Sequence, residues 1–279
     1  MTLRKTRLLK RISLSGNMSY IEEIFSLKNK TAVVTGGLGV LGMEYVKALA
    51  RAGAKVVVFD IKKISLNHEL QNFTKQYPLK FLKVDITKRR EVEVALNEIV
   101  KIWGTPSVLI NNAALDFPPA KKKVMFEDYA LDDWNAVLAV NLTGMLICCQ
   151  VIGGAMAKNS GGSIINISST YGLVSPDQRI YKNFIKPISY SVTKSGVLNL
   201  TRYLATYWGN KRVRVNSLSP GGVFNNQDKE FIKKYNYRAP LGRMARRDEY
   251  NGAILFLASD VSSYMTGANL VVDGGWTAW

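Results

Sequence analysis

The stretch SSTYGLVSPDQRIYKNFIKPISYSVTKSG, residues 168–196, holds three tyrosines and three lysines, and one pair has a spacing that suits proton transfer. Tyr190 is followed four residues later by Lys194, whereas Tyr171 and Tyr181 have Ser175 and Ile185 at that offset. Four residues apart on a helix, the two side chains share a face. A phenol with its ordinary pKa near 10 is a poor acid or base at neutral pH. A neighbouring ammonium favours the phenolate and lowers that value. Moving it toward 7 takes about 4 kcal/mol of differential interaction, more than one exposed pair supplies. The chemistry therefore asks for a semi-buried lysine and a further positive charge. A tyrosine tuned in this way can give a proton to a carbonyl oxygen or take one from an alcohol.

The flanking elements can place such a pair. From Thr31 onward, apolar runs alternate with helical stretches: TAVVTG, EYVKALARAG, KVVVFD, LKFLKVD, RREVEVALNEIVKIWG, SVLINNA, a long helix from Leu131 to Lys158, GSIINIS, SYSVTKSGVLNLTRYLATYWG, KRVRVNSLS, DEYNGAILFLAS and NLVVDGG. Strands alternating with helices of ten or more residues imply βαβ units and a parallel sheet covered on both faces. KVVVFD is apolar without alternation, as expected of a strand buried on both sides. The expected architecture is α/β: one doubly wound parallel sheet of Rossmann type, a single domain over residues 27–279. In such a sheet ligands bind at the carboxyl ends of the strands.

The motifs fall at those ends. VVTGGLGVLG joins the first strand to its helix, where glycines permit a tight turn and close approach of a pyrophosphate to the helix N-terminus. Asp60 ends the second strand, 18 residues after Gly42. A carboxylate there accepts hydrogen bonds from adenosine ribose hydroxyls and repels a 2′-phosphate. Leu38 offers no charge for that phosphate, although Lys62 and Lys63 stand nearby. NAD is favoured over NADP.

Together these motifs resemble the short-chain dehydrogenase/reductase family, from about Leu27 to Trp279. Its TGxxxGxG turn is met by Thr35, Gly36 and Gly42. Val40 stands where the middle glycine should be, with Gly39 just before it. The resemblance implies that Thr35, Gly36, Gly39, Leu41, Gly42 and Asp60 contact the cofactor. It adds Asp85 and Ile86 at the adenine, and Asn112 and Ala113 from NNAA (Asn111–Ala114). Pro220, Gly221 and Val223 of SPGGV are expected beside the nicotinamide. It also implies a catalytic set of Asn141, Ser169, Tyr190 and Lys194. Ser169, rather than Ser168, would hold the substrate oxygen. Asn141 would connect Lys194 to solvent through a water held on its backbone, and Tyr190 and Lys194 would also touch the cofactor.

Between Ser169 and Tyr190 the chain is longer than the family's usual spacing. The extra residues, within SPDQRIYKNFIKP, must cross the substrate mouth, and they read as a polar wall. Arg179 is the candidate substrate contact, with Lys182 and Lys186 beside it. Arg238 and Arg243 are placed across the cleft. This insert, with KPISYSVTK, SPGGVFNNQ, PLGRMAR and VVDGGWTAW, is similar to oxidoreductases of bacterial surface-sugar and flagellin-glycan pathways. That resemblance implies a sugar, amino-sugar or sugar-phosphate substrate.

Composition narrows the rest. The chain has 279 residues, 47% hydrophobic and 21% charged, with a net charge of +17. The basic residues are scattered in small groups and no nucleic-acid-binding module is recognisable, so no nucleic-acid partner is expected. No unbroken run of about 18 apolar residues appears, so no membrane span is expected. Cys148 and Cys149 are adjacent on an apolar helix and suit a reduced, cytoplasmic setting. The single histidine, His68, has no metal partner, so no metal site is expected. The first seventeen residues carry five basic residues and no acid. They read as a targeting arm, an over-extended gene start before Met18, or plain disorder, and residues 1–26 are set outside the folded domain. The resemblance further implies a homo-oligomer, a dimer or tetramer. Two other functions remain open at this level. One is a 3-oxoacyl carrier-protein reductase, which would want NADPH. The other is a non-catalytic dinucleotide-binding protein on the same scaffold.

Overall fold

The computed structural model describes residues 19–63, 68–116, 124–182 and 184–279. The basic arm over the first seventeen residues lies outside the described residues. The rest of the expected extension is not all irregular. Tyr20–Phe25 forms a short helix (α1), because Ser19 and Glu22 make a capping box that satisfies two orphan amides. Leu27, just beyond it, is fully buried.

Seven strands form one parallel sheet: β1 (Thr31–Thr35), β2 (Lys55–Asp60), β3 (Leu79–Lys83), β4 (Val108–Asn111), β5 (Gly162–Ile167), β6 (Val213–Pro220) and β7 (Asn269–Val272). Their spatial order is β3-β2-β1-β4-β5-β6-β7. The order reverses between β1 and β4, which opens a crevice at their carboxyl ends. Every residue of β1 and β4 is buried, so β-branched side chains pack on both faces. Each fully buried valine or isoleucine contributes roughly 1.5–3 kcal/mol relative to exposure.

The connecting helices are α2 (Val40–Arg51), α3 (His68–Gln76), α4 (Arg89–Trp103), α5 (Leu131–Lys158), α6 (Ile188–Trp208), α7 (Lys229–Arg238) and α8 (Asn251–Ala258). On α4 the buried residues Val92, Ala95, Leu96 and Ile99 recur at helical spacing, and Gly104 ends the helix at φ 82°. Among the described residues, α5 is the one helix long and apolar enough to cross a membrane by length and composition. Half of that apolar window is buried in this fold, and Met145, Cys148, Cys149, Ile152 and Met156 join the core beneath the sheet. Two π-helical stretches, Ala139–Gly144 and Cys149–Gly153, interrupt its α-helical winding. Both cysteines are free, and burial pushes the Cys149 thiol up to about 12.

The helix α7 does not figure among the elements expected from the sequence. Its signals are an Asp228 cap, whose carboxylate accepts the Glu230 and Phe231 amides, and the i,i+4 aromatics Phe231 and Tyr235.

Candidate active site

The glycine turn after β1 is stitched to the end of β4. The Thr35 hydroxyl accepts the amides of Asn112 and Ala113 at 3.0 and 3.1 Å. The Asn112 side chain donates to the carbonyls of Thr35 and Gly36 at 3.1 and 3.0 Å. The side chains of Thr35 and Asn112 thus hold the turn's shape. Gly36 has φ 60°, and a Cβ there would lie 2.7 Å from the Ala113 Cα. A Cβ on Gly42 would collide with the Gly36 carbonyl oxygen. Val40, the departure from the glycine pattern, is the first residue of α2 and partly exposed, so its side chain meets no steric bar.

Asp60 sits against this turn. One carboxylate oxygen accepts the Leu38 amide and the other the Lys62 amide, each at 3.0 Å. Each oxygen keeps lone-pair capacity for a further donor. At the next strand end, Asp85 accepts the Thr87 amide and hydroxyl at 2.9 and 2.7 Å, while Ile86 is buried against Gly144 of α5.

Beside the turn lies a cavity of about 710 Å³. Leu41, Pro220, Gly221 and Val223 line it on the β1 and β6 side, and Ser169 and Tyr190 stand on its floor. Ser169 is set by the turn after β5, where its hydroxyl accepts the Tyr171 amide at 3.1 Å. That hydroxyl and the Tyr190 phenol line the same cavity, and Ser169 acts on the phenol electrostatically. The neighbouring Ser168 is turned away and donates to the Lys194 carbonyl at 2.7 Å, so the geometry separates the two serines.

Tyr190 and Lys194 share a face of α6. The Lys194 ammonium lies 5.6 Å from the Tyr190 ring centroid and donates to the Ile167 carbonyl at 2.8 Å. Burial, the largest cause, lowers Lys194 to about 8, with Asp116 opposing and Lys186 assisting. The Tyr190 phenol is shifted upward, first by burial and then by the Asp116 charge, while Ser169 pulls it down. Burial of the ring thus works against the lowering that Lys194 and a positive nicotinamide were expected to supply together.

Asn141 lies in the first π-helical stretch, and π-bulges frequently mark functional sites. Its buried side chain accepts the Leu115 amide at 2.7 Å and donates to the Leu115 carbonyl and the Thr193 hydroxyl, each at 3.1 Å. It therefore pins the loop that carries Asp116 to the helix that carries Tyr190.

The insert between Ser169 and Tyr190 does border the cavity. Tyr181, Lys182, Phe184 and Lys186 line it together with Phe231 and Tyr235 of α7, and the Tyr181 and Phe231 ring centroids lie 5.3 Å apart. The wall is more aromatic than the polar surface expected. Arg179 does not line this cavity. Its side chain is 85% exposed and forked onto both Asp177 oxygens at 2.8 Å. Arg238 reaches Asp177 at 3.4 Å and stacks over Trp276, whereas Arg243 is forked onto Glu249 at 2.6 and 2.7 Å. The basic residue that faces the reacting groups is Lys186. From sequence, Lys186 is expected only as a charge beside Arg179 on the insert, and Asp116 is not singled out, because the packing that joins them spans 70 positions.

Comparison with known proteins accords with this architecture. Residues 39–277 match the family model described as Enoyl-(Acyl carrier protein) reductase. Sorbose reductase SOU1 of Candida albicans is 32% identical over 93% of this chain and 91% of its own length. An NADP-dependent mannitol dehydrogenase of Hypocrea jecorina is 33% identical over 91% of this chain and 95% of its own. The crystal structure of a short-chain dehydrogenase from Leptospira borgpetersenii with bound NAD+ superposes with a TM-score of 0.83 at 32% identity, covering 94% of this chain and 98% of that one. The chain belongs to the short-chain dehydrogenase/reductase family. It is an NAD(P)-dependent dehydrogenase acting on CH–OH groups.

Proposed function

We propose that this enzyme prefers NAD(H) and interconverts an alcohol and a ketone on a polyhydroxylated, sugar- or sugar-phosphate-like substrate. The observation that carries the reading is the placement of Ser169 and Tyr190 on the floor of a cavity walled by both aromatic rings and charged groups. Aromatic faces suit the C–H edges of a sugar, and Asp116, Lys182 and Lys186 suit its polar substituents.

The residues present fit a dinucleotide. Gly36 and Gly42 leave the close approach that any Cβ would fill, and Asp60 offers acceptors to ribose hydroxyls. Gly39 and Leu41 at the start of α2, Asp85, Ile86 and Ala113 at the strand ends, and Pro220, Gly221 and Val223 would complete the contacts. When bound there, NAD(P) would supply or accept the hydride. Ser169 holds the substrate oxygen, and Tyr190 gives that oxygen a proton in reduction or takes it in oxidation. Lys194 offers its ammonium to the nicotinamide ribose, and Asn141 keeps the Tyr190 helix in register with the loop after β4.

For a place in surface-sugar or flagellin-glycan biosynthesis, the support is the run of motifs from KPISYSVTK to VVDGGWTAW alone. The relatives named above act, by their names, on sorbose and mannitol. A homo-oligomer is supported by apolar side chains left exposed on two long helices, Leu131 and Leu146 on α5 and Val192, Tyr203 and Tyr207 on α6.

A screen of sugars, polyols and sugar phosphates tests the reading, following NADH and NADPH absorbance in both directions. Turnover of a polyhydroxylated substrate with NAD(H) is expected. Turnover confined to acyl thioesters with NADPH would overturn it.

A further inference from the structure

We propose that Lys186, held over the Tyr190 ring by Asp116 and by a clamp on its own backbone, is a positioning residue that stabilises negative charge on the Tyr190 oxygen. The inference rests on Tyr190 being the acid/base.

Four observations carry it. The Lys186 ammonium lies 4.4 Å from the Tyr190 ring centroid, closer than the 5.6 Å of Lys194. Its side chain is only 10% exposed, so water screens it little. Asp116 receives the ammonium at 2.5 Å and fixes its direction. The Gln178 side chain accepts the Lys186 amide at 2.9 Å and donates to the Lys186 carbonyl at 3.1 Å. A long, flexible side chain is thus fixed at both ends.

The physical consequence follows from charge. A cation over a neutral phenol is attracted only by the ring quadrupole. Once the phenol loses its proton, the same cation meets a full negative charge, so it favours the ionised form. The groups facing Tyr190 are Lys194 on its own helix, Lys186 on the insert, Asp116 on the loop after β4, and Ser169 and Tyr171 on the turn after β5. Tyr181 on the insert also interacts with it electrostatically. Of these, Lys186 and Lys194 favour the phenolate, and Asp116 opposes it. Lys186 and Asp116 therefore act on Tyr190 with opposite signs, although they hold each other.

That opposition gives a test independent of the substrate. Ionisation of Tyr190 is read as the phenolate absorbance present in the wild type and missing in Y190F, from neutral to alkaline pH, with and without NAD+. K186M is expected to move the ionisation to higher pH by about one unit, and D116N to move it lower by a similar amount. K186R should stay near the wild type. Q178A, which keeps the charge and loosens its hold, should move it upward by less than K186M. If K186M does not fold, the D116N and Q178A shifts decide the matter. The proposal is overturned if K186M and D116N leave the titration in place or move it in one direction. It is also overturned if K186R behaves like K186M, or if the wild-type phenol stays protonated throughout. Absence of any NAD+ effect would count against the dinucleotide reading while leaving the comparison of variants intact.

Discussion

The Asp60 carboxylate reaches the glycine turn and accepts the Leu38 amide at 3.0 Å. A negative charge is thereby fixed where a ribose would lie, and a 2′-phosphate brought there would meet it. Asp60→Ala should lower kcat/KM with NAD and improve the ratio for NADP, by about tenfold or more, given the cost of opposing charges at close range. Steady-state kinetics with both cofactors check this. A wild type that prefers NADPH would show that Lys62 or Lys63 decides instead.

The two serines after β5 predict opposite phenotypes. Ser169→Ala removes the hydroxyl at Tyr190 and should lower kcat by roughly 100-fold, as should Tyr190→Phe, whose loss of a general acid is worth about 10²–10⁴. Y190F should keep its NADH affinity, measured by fluorescence titration. Ser168→Ala should keep most turnover and lose about 1 kcal/mol of stability, because its bond to the Lys194 carbonyl is structural.

Lys194 gives a pH-dependent stability difference with a defined sign. Its value in the folded protein, about 8, lies below the ordinary value near 10.4. Below about 8 the ammonium is charged in both folded and unfolded chains, so the folded protein carries the full desolvation cost. From about 8 to about 10.4 the unfolded chain binds more protons, and that cost is relieved as pH rises. Relative to Lys194→Met, the wild type should gain on the order of 3 kcal/mol across this window. Denaturant unfolding of both proteins at several pH values measures it. A constant difference would mean that Lys194 titrates normally.

Light scattering at micromolar concentration should give a mass of two or four chains. Leu146→Asp on α5 or Tyr203→Asp on α6 should lower that mass, since a charge in an apolar interface is costly. A wild-type monomer would remove the oligomer from the account.

Much of this molecule was legible in its sequence because local chemistry fixes it. The glycine turn, Asp60 and the Tyr190–Lys194 pair depend on spacing along one strand or helix, and the structure brings them to the same ends of the strands. Arg179 was misplaced for a different reason. A charge on an insert has several candidate partners, and only packing shows that Asp177, two residues away, takes it. Lys186 and Asp116 were invisible as a pair because nothing in either neighbourhood encodes their meeting. The upward push of burial on the Tyr190 phenol cannot be read from spacing, because burial depends on the whole shell around the ring, whereas a lysine four residues away can be counted.

The Gln178 side chain makes with the Lys186 backbone the two bonds that a neighbouring strand would make, closing a ring over eight positions. The residues between these anchors include Tyr181 and Phe184, which face the cavity, and Arg179, which does not. The segment is therefore a buttressed arch: Ile180 and Tyr181 root its middle on Tyr171, while its two feet hold the ammonium over the phenol.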